Sequence, residues 1–443
     1  MHFNKMSGIN AFLENAARTS SLIAVTLLLP MVLYAEEPLI ESIDINRLSF
    51  EGTLAFSPGN GSLLRIESTE ANAFPSVLIH APDTPWNLTG HRFVETSFTN
   101  TGDVPVNVAF WAVGRPGWDA AVETVKLEPG HSGLCSIDLS QRWKGGRVPK
   151  LDPSHIEYLR ISFLRPATGA SVEMTAVRLK GHAEPLRYPA GYERLEVPAM
   201  MNVPPVPGKR VKHQLKTYED REAYHVLYLP PNWKPGKRFP VIVEYSGNRW
   251  LNPPCHSPGR PESGRMGFGM SEGKGFIWVN APFVNRDGSL ALNGWGDADV
   301  TADYAIDLVE MICTDFGGDP DNVILTGFSR GAVACGYIGL RNDKIAGLWK
   351  AFHPCQHYDG DGVHGATFES ALKERMPRLN GRPTFHTDNG RHAELHELFE
   401  RTGQPVTFAE SGIGAHTDSM LLENRPSTLQ LRTWLAGVVK PKR

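Results

Sequence analysis

The residues most able to do chemistry lie in the segment Gly327-Phe-Ser-Arg-Gly331. A serine with a glycine two positions away on either side has the pattern G-x-S-x-G. The apolar run 323–325 before it predicts a buried strand, and the small residues of 332–340 predict a helix. In this strand–turn–helix context the pattern predicts a sharp turn that exposes the Ser329 hydroxyl as a nucleophile. The following helix would direct its free N–H groups and positive dipole end at that hydroxyl.

A serine nucleophile needs a base, and seven histidines follow Ser329 in the chain. His416 lies in the glycine-containing loop 411–418, between the last predicted strand and the last predicted helix. A loop of this kind would let an imidazole reach the serine, take its proton and return it to a leaving group. His416 is therefore a candidate for the base, the alternative being a loop histidine in solvent.

The base needs a carboxylate that fixes its tautomer and stabilises the imidazolium. Asp388 follows the predicted strand 383–387 and precedes an Asn-Gly turn, so it would lie at the carboxyl end of a strand. Asp359 and Asp361 follow the preceding predicted strand and remain alternatives. We expect Asp388 to be the acid.

Backbone N–H groups at two strand ends predict a site for an oxyanion. Arg330 directly follows the nucleophile, and Gly247 and Asn248 follow the predicted strand 239–245. The predicted donors are the N–H of Arg330 and that of Gly247 or Asn248. For the Arg330 side chain, the sequence favours a salt bridge on the helix over contact with an anionic substrate group.

Two long segments, 249–270 and 285–297, lack the hydrophobic periodicity of core elements. Both follow the ends of predicted strands, which is where parallel sheets with helices on both faces bind ligands. Trp250 and Trp295 lie in them and are predicted substrate contacts, with plain packing as the alternative.

His392 and His396 stand one helical turn apart but lack the glutamate position of H-E-x-x-H. A solvated helix face is favoured there, and no metal or other cofactor is expected.

The elements that must position these residues alternate between strands and helices from residue 212 to 443. The predicted strands are 224–229, 239–245, 275–280, 323–325, 345–352, 383–387 and 405–409, and the longest predicted helices are 299–316 and 419–438. Strands separated by helices predict a doubly wound, mostly parallel sheet. Residues 36–190 instead show short alternating runs bounded by turn residues, which predict an all-β sandwich. Between them, residues 191–211 are rich in proline and are predicted to be a linker.

The motif Gly327–Gly331 and the order of the strands give residues 212–443 a resemblance to the α/β-hydrolase superfamily. The segment is most similar to its esterase and prolyl-oligopeptidase-like branches. The resemblance implies a triad in the chain order serine, acid, histidine, which here corresponds to Ser329, Asp388 and His416. Relatives often carry a His-Gly motif where this chain has Ser246-Gly247, so the subfamily stays open.

Segments 93–102 and 127–139 resemble the jelly-roll, carbohydrate-binding-like domains that are attached to polysaccharide-degrading enzymes. That resemblance implies a sandwich that holds a carbohydrate. Trp86, Trp111 and Trp118 are candidates to stack on a sugar ring, with core packing as the alternative for each.

Composition and the N-terminal segment limit which partners and which cellular location the protein is expected to have. A net charge of −3 without a basic cluster gives no sign of a nucleic-acid partner. Lys5 and Arg18 precede the apolar run 22–35, which predicts a cleaved signal peptide over residues 1–35, with an uncleaved anchor as the alternative. The protein is then expected to be secreted or periplasmic, without stable membrane insertion after cleavage. A disulfide between Cys255 and Cys355 is left open, although five cysteines form no framework.

Taken together, these features predict an exported serine hydrolase that cleaves a carboxylic ester, carbohydrate-linked in the manner of an acetyl or feruloyl ester. A serine peptidase of the prolyl-oligopeptidase-like type is one alternative, because the same triad serves both reactions. A non-catalytic carbohydrate-binding protein is the other.

Overall fold

The computed structural model describes residues 37–51, 54–57, 62–69, 75–114, 120–142, 149–184, 193–250, 257–388, 397, 399–411, 413 and 416–439. The predictions for the signal peptide, Trp118, Cys255, His392 and His396 lie outside these residues.

The first part of the described chain forms two antiparallel sheets. Their strands are β1 (Glu37–Ile40), β2 (Leu48–Glu51), β3 (Leu54–Ser57), β4 (Leu64–Ser68), β5 (Ser76–His80), β6 (His91–Asn100), β7 (Val106–Val113), β8 (Ala120–Leu127), β9 (Ser132–Asp138), β10 (Tyr158–Phe163), β11 (Ser171–Met174) and β12 (Val177–His182). One sheet has the order β1-β12-β6-β11-β4-β3, with β9 also paired to β6, and the other has the order β2-β5-β10-β7-β8. Phe98 of the first sheet and Phe110 of the second pack in one buried cluster, with ring centroids 5.9 Å apart. The two sheets therefore enclose a shared core, as alternating burial along β6 requires.

A nine-stranded sheet forms the second part. Its strands are β13 (Met200–Met201), β14 (Arg210–His213), β15 (His225–Tyr228), β16 (Phe239–Tyr245), β19 (Ile277–Ala281), β20 (Gly318–Phe328), β21 (Ala351–Cys355), β22 (Thr384–Asp388) and β23 (Val406–Glu410), and a separate pair consists of β17 (Arg249–Trp250) and β18 (Ser257–Pro258). The order is β13-β14-β15-β19-β16-β20-β21-β22-β23. From β19 to β23 every neighbouring pair is parallel, while β15 is antiparallel to both its neighbours. The carboxyl ends of the parallel strands thus meet at one edge.

Helices cover both faces of this sheet. They are α1 (Met266–Ser271), α2 (Ala298–Asp315), α3 (Arg330–Tyr337), α4 (Asp343–Ala346), α5 (Phe368–Ser370) and α6 (Pro426–Val438), with a π-helical turn at Ala371–Arg375 and 3₁₀ turns at Ile45–Arg47, Lys216–Tyr218, Pro261–Ser263, Val363–Gly365, Met376–Leu379 and Ser419–Leu422. Val241 and Val243 of β16 pack with α2 and α3, whereas Ile242 packs with α1 and α6. The central strands are therefore buried on both faces, which is the doubly wound arrangement predicted from the sequence.

Two element predictions are wrong. The predicted strand 345–352 is instead the end of α4 followed by β21, because the Asn342 side chain accepts hydrogen bonds from the N–H groups of Lys344 and Ile345 and caps a helix there. The predicted helix 419–438 is broken at Pro426, and Arg425 before it is extended (φ −74°, ψ 154°). A residue before proline is disfavoured in the helical region, so α6 begins at the proline itself.

Cys355 is a buried free thiol at the end of β21, so the disulfide left open for it is not formed. Burial raises the pKa of this thiol well above its ordinary value. Within the described ranges, no helix is long and apolar enough to cross a membrane.

Candidate active site

Ser329 occupies a strained turn between β20 and α3. Its backbone has φ 56° and ψ −118°, a combination that a residue with a side chain rarely adopts. A Cβ on Gly327 would lie 2.1 Å from the Gly331 carbonyl oxygen, and a Cβ on Gly331 would lie 1.9 Å from that of Tyr245. Both glycines are therefore required by close backbone contacts. Backbone strain such as that at Ser329 is found where the surrounding packing forces the conformation, typically at functional sites.

The His416 imidazole meets this serine. Its Nε2 atom lies 2.9 Å from Ser329 Oγ, which is hydrogen-bonding distance. The ring packs beside Phe328, with centroids 4.7 Å apart, and edge-on to His357 at 5.0 Å. Nε2 is therefore positioned to take a proton from the serine hydroxyl.

Two side chains anchor the loop that carries this imidazole. Gln356, which follows β21 with φ 66°, accepts a hydrogen bond from the Thr417 N–H at 3.0 Å through its Oε1 atom. Arg265 contacts the next two residues, with Nε 3.3 Å from Asp418 Oδ1 and a hydrogen bond of 3.1 Å to Ser419 Oγ. Burial raises the pKa of Asp418, and the Arg265 charge opposes this shift. The histidine loop is thus fastened to both β21 and the segment before α1.

The three carboxylates considered from the sequence have different surroundings. Asp388 is fully buried at the end of β22, and its carbonyl accepts a hydrogen bond from the Ser411 N–H at the start of the histidine loop. Asp359 forms a buried two-point ion pair with Arg375, at 2.7 and 3.0 Å. The Asp361 carboxylate lies 2.6 Å from Nδ1 of His357, the imidazole that packs against His416.

The predicted oxyanion donors lie close to the nucleophile. A Cβ built on Gly247 would be 3.5 Å from the Ser329 Cβ, so the end of β16 directly adjoins the nucleophile turn. Arg330 is the first residue of α3, where N–H groups have no partner within the helix. The end of β16 and the start of α3 thus both adjoin Ser329.

The sequence prediction that the Arg330 side chain forms a salt bridge on the helix is wrong. Its guanidinium is buried and donates to four backbone carbonyls, those of Ser246, Gly259, Ala291 and Gly294, at 2.8–3.4 Å. It also lies over the Phe283 ring at 4.1 Å. Burial lowers the pKa of Arg330 to about 9. The side chain therefore joins the loops around the nucleophile and is inaccessible to a substrate anion.

The two predicted substrate tryptophans differ in exposure. Trp295 is buried, stacks on Tyr337 at 4.9 Å and donates its indole N–H to the His364 carbonyl at 3.0 Å, so it packs in the core. Trp250, on the short strand β17, is 51% exposed. Only Trp250 is available to a substrate in this structure.

Sequence reasoning considered Asp359 and Asp361 in the loop that follows β21 but missed three other residues of that loop. Gln356, His357 and His364 all contact residues around Ser329. The available signal was a group of polar residues after a strand.

The tryptophans of the two-sheet part are packed to different degrees. Trp86 is half-buried, with the Arg47 guanidinium 5.6 Å from its ring. Trp111 is 6% exposed and lies near Arg160, at 5.9 Å. Among the residues that the structure describes, no group of three histidine, cysteine or acidic side chains could hold a metal ion.

Comparison with known proteins finds esterases, and no family model matches the chain. A segment of 139 residues is 29% identical to the esterase LipQ of Mycobacterium tuberculosis, covering 30% of this chain and 31% of that protein. The chain thus spans about a third of the length of this curated relative.

Among solved structures, an acetyl ester-xyloside bifunctional hydrolase from Caldicellulosiruptor lactoaceticus matches at 12% identity, covering 54% of this chain and 98% of that one, with a TM-score of 0.38. The carboxylesterase Cest-2923 from Lactobacillus plantarum matches at 12% identity, over 53% of this chain and 100% of that one, with a TM-score of 0.36. The chain is therefore similar to esterases over part of its length.

Proposed function

We propose that the protein is a serine hydrolase of carboxylic esters, with Ser329 as nucleophile and His416 as base. The observation that carries this proposal is the 2.9 Å contact between Ser329 Oγ and His416 Nε2 on a strained strand-to-helix turn. A hydroxyl in this position loses its proton to the imidazole as it attacks a carbonyl carbon. The partial likeness to the esterase LipQ supports an ester as substrate.

The reaction runs in two halves. Ser329 Oγ bonds to the ester carbonyl carbon while its proton passes to His416, and the carbonyl oxygen takes up the negative charge. Backbone N–H groups of Arg330 and of Gly247 or Asn248 would donate to that oxygen. Collapse of the intermediate breaks the bond to the alcohol, which leaves with the proton from His416. Water then attacks the acyl-enzyme in the same way and releases the acid.

Asp388 is the acid that we assign to this triad. It is buried at the end of the strand next to β23, and the histidine loop starts from that neighbour. The carboxylates of Asp359 and Asp361 are engaged by Arg375 and His357. Asp388 would fix the tautomer of His416 and stabilise the imidazolium that forms during attack.

The finer features of the proposal rest on the sequence. The apolar run 22–35, which predicts a signal peptide, supports export. The resemblance of segments 93–102 and 127–139 to carbohydrate-binding-like domains supports a carbohydrate-linked substrate, such as an acetyl or feruloyl ester. A peptidase is the main alternative, because the same three residues would serve it.

A panel of chromogenic esters of differing acyl length, run beside a peptide panel, tests the proposal. We expect the wild type to hydrolyse esters. In Ser329→Ala, kcat should fall by several orders of magnitude, because the only change is the loss of the nucleophile. The variant should keep the wild-type melting temperature. Turnover of peptides but not esters would favour the peptidase, and full esterase activity in Ser329→Ala would remove the mechanism.

A further inference from the structure

The loop after β21 reaches Ser329 from two sides. His357, near its start, packs its ring edge-on against His416, with centroids 5.0 Å apart. His364, seven positions later, has its Nε2 atom 3.1 Å from Nδ2 of Asn248, the residue after Gly247. One loop therefore lies along both the base side and the oxyanion side of the nucleophile. A residue at the His364 position is well placed to meet the part of a substrate that extends away from the reacting carbonyl.

His364 is held in an uncommon backbone conformation while its side chain is exposed. Its φ of 48° and ψ of 38° lie in the left-handed region, where a residue other than glycine is uncommon. Gly362 and Gly365, which flank this position, also have positive φ. The exposed imidazole contacts Asn248 and Trp295, so this backbone conformation holds the ring beside the end of β16.

The hydrogen bonds of Asn248 fix which ring nitrogen of His364 carries the proton. The Asn248 Oδ1 atom accepts from the Gly294 N–H at 3.0 Å, so the atom that faces the imidazole is the amide nitrogen Nδ2. An amide nitrogen can only donate, and His364 Nε2 must therefore be the acceptor. The proton of the neutral ring is then on Nδ1, which becomes a hydrogen-bond donor. The ring is further held by Trp295, which packs edge-on at 5.7 Å.

Gly294 and Trp250 are the neighbours of this donor. A Cβ built on Gly294 would have three ring atoms of His364 as its nearest neighbours, with Nδ1 at 3.7 Å. Gly294 has a φ of 64°, and its carbonyl accepts a hydrogen bond from Arg330 at 2.8 Å. Gly294 thus lies against the face of the imidazole, whereas an acceptor for Nδ1–H would lie in the plane of the ring. Trp250, two residues after Asn248, is 51% exposed and adds an aromatic surface near the same side.

We propose that His364 is a specificity-determining residue that donates its Nδ1–H to an oxygen of a saccharide alcohol in the ester. This inference rests on the proposed esterase function and names the part of the substrate that the loop recognises. A saccharide fits because it presents acceptor hydroxyls to a neutral donor, and an apolar face that can stack on an exposed indole. His364 would act on binding of the alcohol, away from the bond that breaks.

The test compares two acetyl esters, a monoacetylated methyl glycoside and p-nitrophenyl acetate, in wild type and His364→Asn. Asparagine tolerates the left-handed backbone, so the variant should fold, and melting temperature checks this. We expect the ratio of kcat/KM for the glycoside ester to that for the nitrophenyl ester to fall roughly ten-fold, as for the loss of one hydrogen bond. His131→Asn, an exposed histidine in the turn between β8 and β9, is the matched control and should leave the ratio unchanged.

The possible failures are distinguishable. A wild type that cleaves neither of these esters nor any member of the chromogenic ester panel would overturn the proposed function itself. A wild type that cleaves both, with an unchanged ratio in His364→Asn, would overturn the role of His364 and leave the esterase standing. A wild type that cleaves only the nitrophenyl ester would overturn the saccharide as the recognised alcohol.

Discussion

At the scale of single residues, the acid of the triad is the assignment most open to a direct kinetic test. Asp388→Asn keeps the shape of the side chain but removes the charge that stabilises an imidazolium on His416. We expect kcat to fall by about 10⁴-fold with little change in KM, because the acid does not touch the substrate. Steady-state kinetics on the best chromogenic ester would measure both.

The rival carboxylates provide the comparison for this prediction. Asp361→Asn should lower kcat far less than Asp388→Asn, and a larger loss in Asp361→Asn would reverse the assignment. Asp359→Asn is a poor control. It would leave the Arg375 charge buried without its partner, which typically costs about 3–5 kcal/mol of stability.

His357 is expected to be a positioning residue for His416. The imidazole of His416 lies between Phe328 and the His357 ring, and the 2.6 Å contact with Asp361 holds that second ring in place. His357→Ala should lower kcat by roughly ten- to a hundred-fold, because a small displacement of a catalytic group is costly. KM should stay close to the wild-type value.

A conservative variant separates this role from substrate binding. His357→Phe keeps an aromatic edge against His416 and should recover most of the lost kcat. If KM rises and kcat is preserved in His357→Ala, the residue contacts substrate instead.

At the scale of elements, three strands beneath the site are joined by one buried histidine. His353 of β21 lies between Thr326 of β20 and Thr387 of β22, with both ring nitrogens 2.9 Å from a threonine hydroxyl. Burial, and then the neighbouring His386, lowers the pKa of His353 from 6.5 to about 3. The ring is therefore neutral in the folded protein at neutral pH.

This histidine should make stability depend on pH. Below about pH 6.5 the unfolded chain binds a proton at this position, while the folded protein does not until about pH 3. The unfolded state therefore binds more protons in this window, and the free energy of unfolding falls as the pH is lowered. Between pH 7 and 5 the wild type should lose about 2 kcal/mol more than His353→Gln, measured by urea unfolding. Equal losses would show that His353 is protonated in the folded state.

At the scale of the whole molecule, the two-sheet part and the nine-stranded part have separate buried cores. Phe98 is fully buried in the first, away from every residue assigned to the reaction. Phe98→Ala should remove about 3–5 kcal/mol from the unfolding of that part while kcat stays unchanged. Calorimetry should show two transitions, of which only the transition of the two-sheet part shifts in the variant.

Covalent labelling supplies the complementary measurement. A fluorophosphonate bound to Ser329 should raise only the transition of the nine-stranded part. One transition that moves with both changes would show that the two cores unfold as a single unit, contrary to the domain division predicted from the sequence.

Local patterns in the sequence were enough to predict the elements that carry the site. The apolar, β-branched run before Ser329 predicts a buried strand from its own residues. Gly327 and Gly331 flank a turn in which close backbone contacts leave no room for a Cβ. His416 could be selected because its loop follows the last predicted strand, where the resemblance stated from the sequence implies the base. Errors at 345–352 and 419–438 arose where a cap or a proline outweighed hydrophobic periodicity.

Only the tertiary structure decided which side chains meet around the nucleophile. Asn248 and His364 are 116 residues apart, Gln356 and Thr417 are 61 apart, and the carbonyls bound by Arg330 come from three separate segments. No periodicity relates such positions, because their contacts depend on how strand order brings loop ends to one edge of the sheet. The sequence by itself therefore determined the nucleophile turn and most of the strands and helices around it. The packing of the sheet determined the positions of Gln356, His357 and His364, and it made Arg330 a buried link between loops where a salt bridge on the helix was predicted.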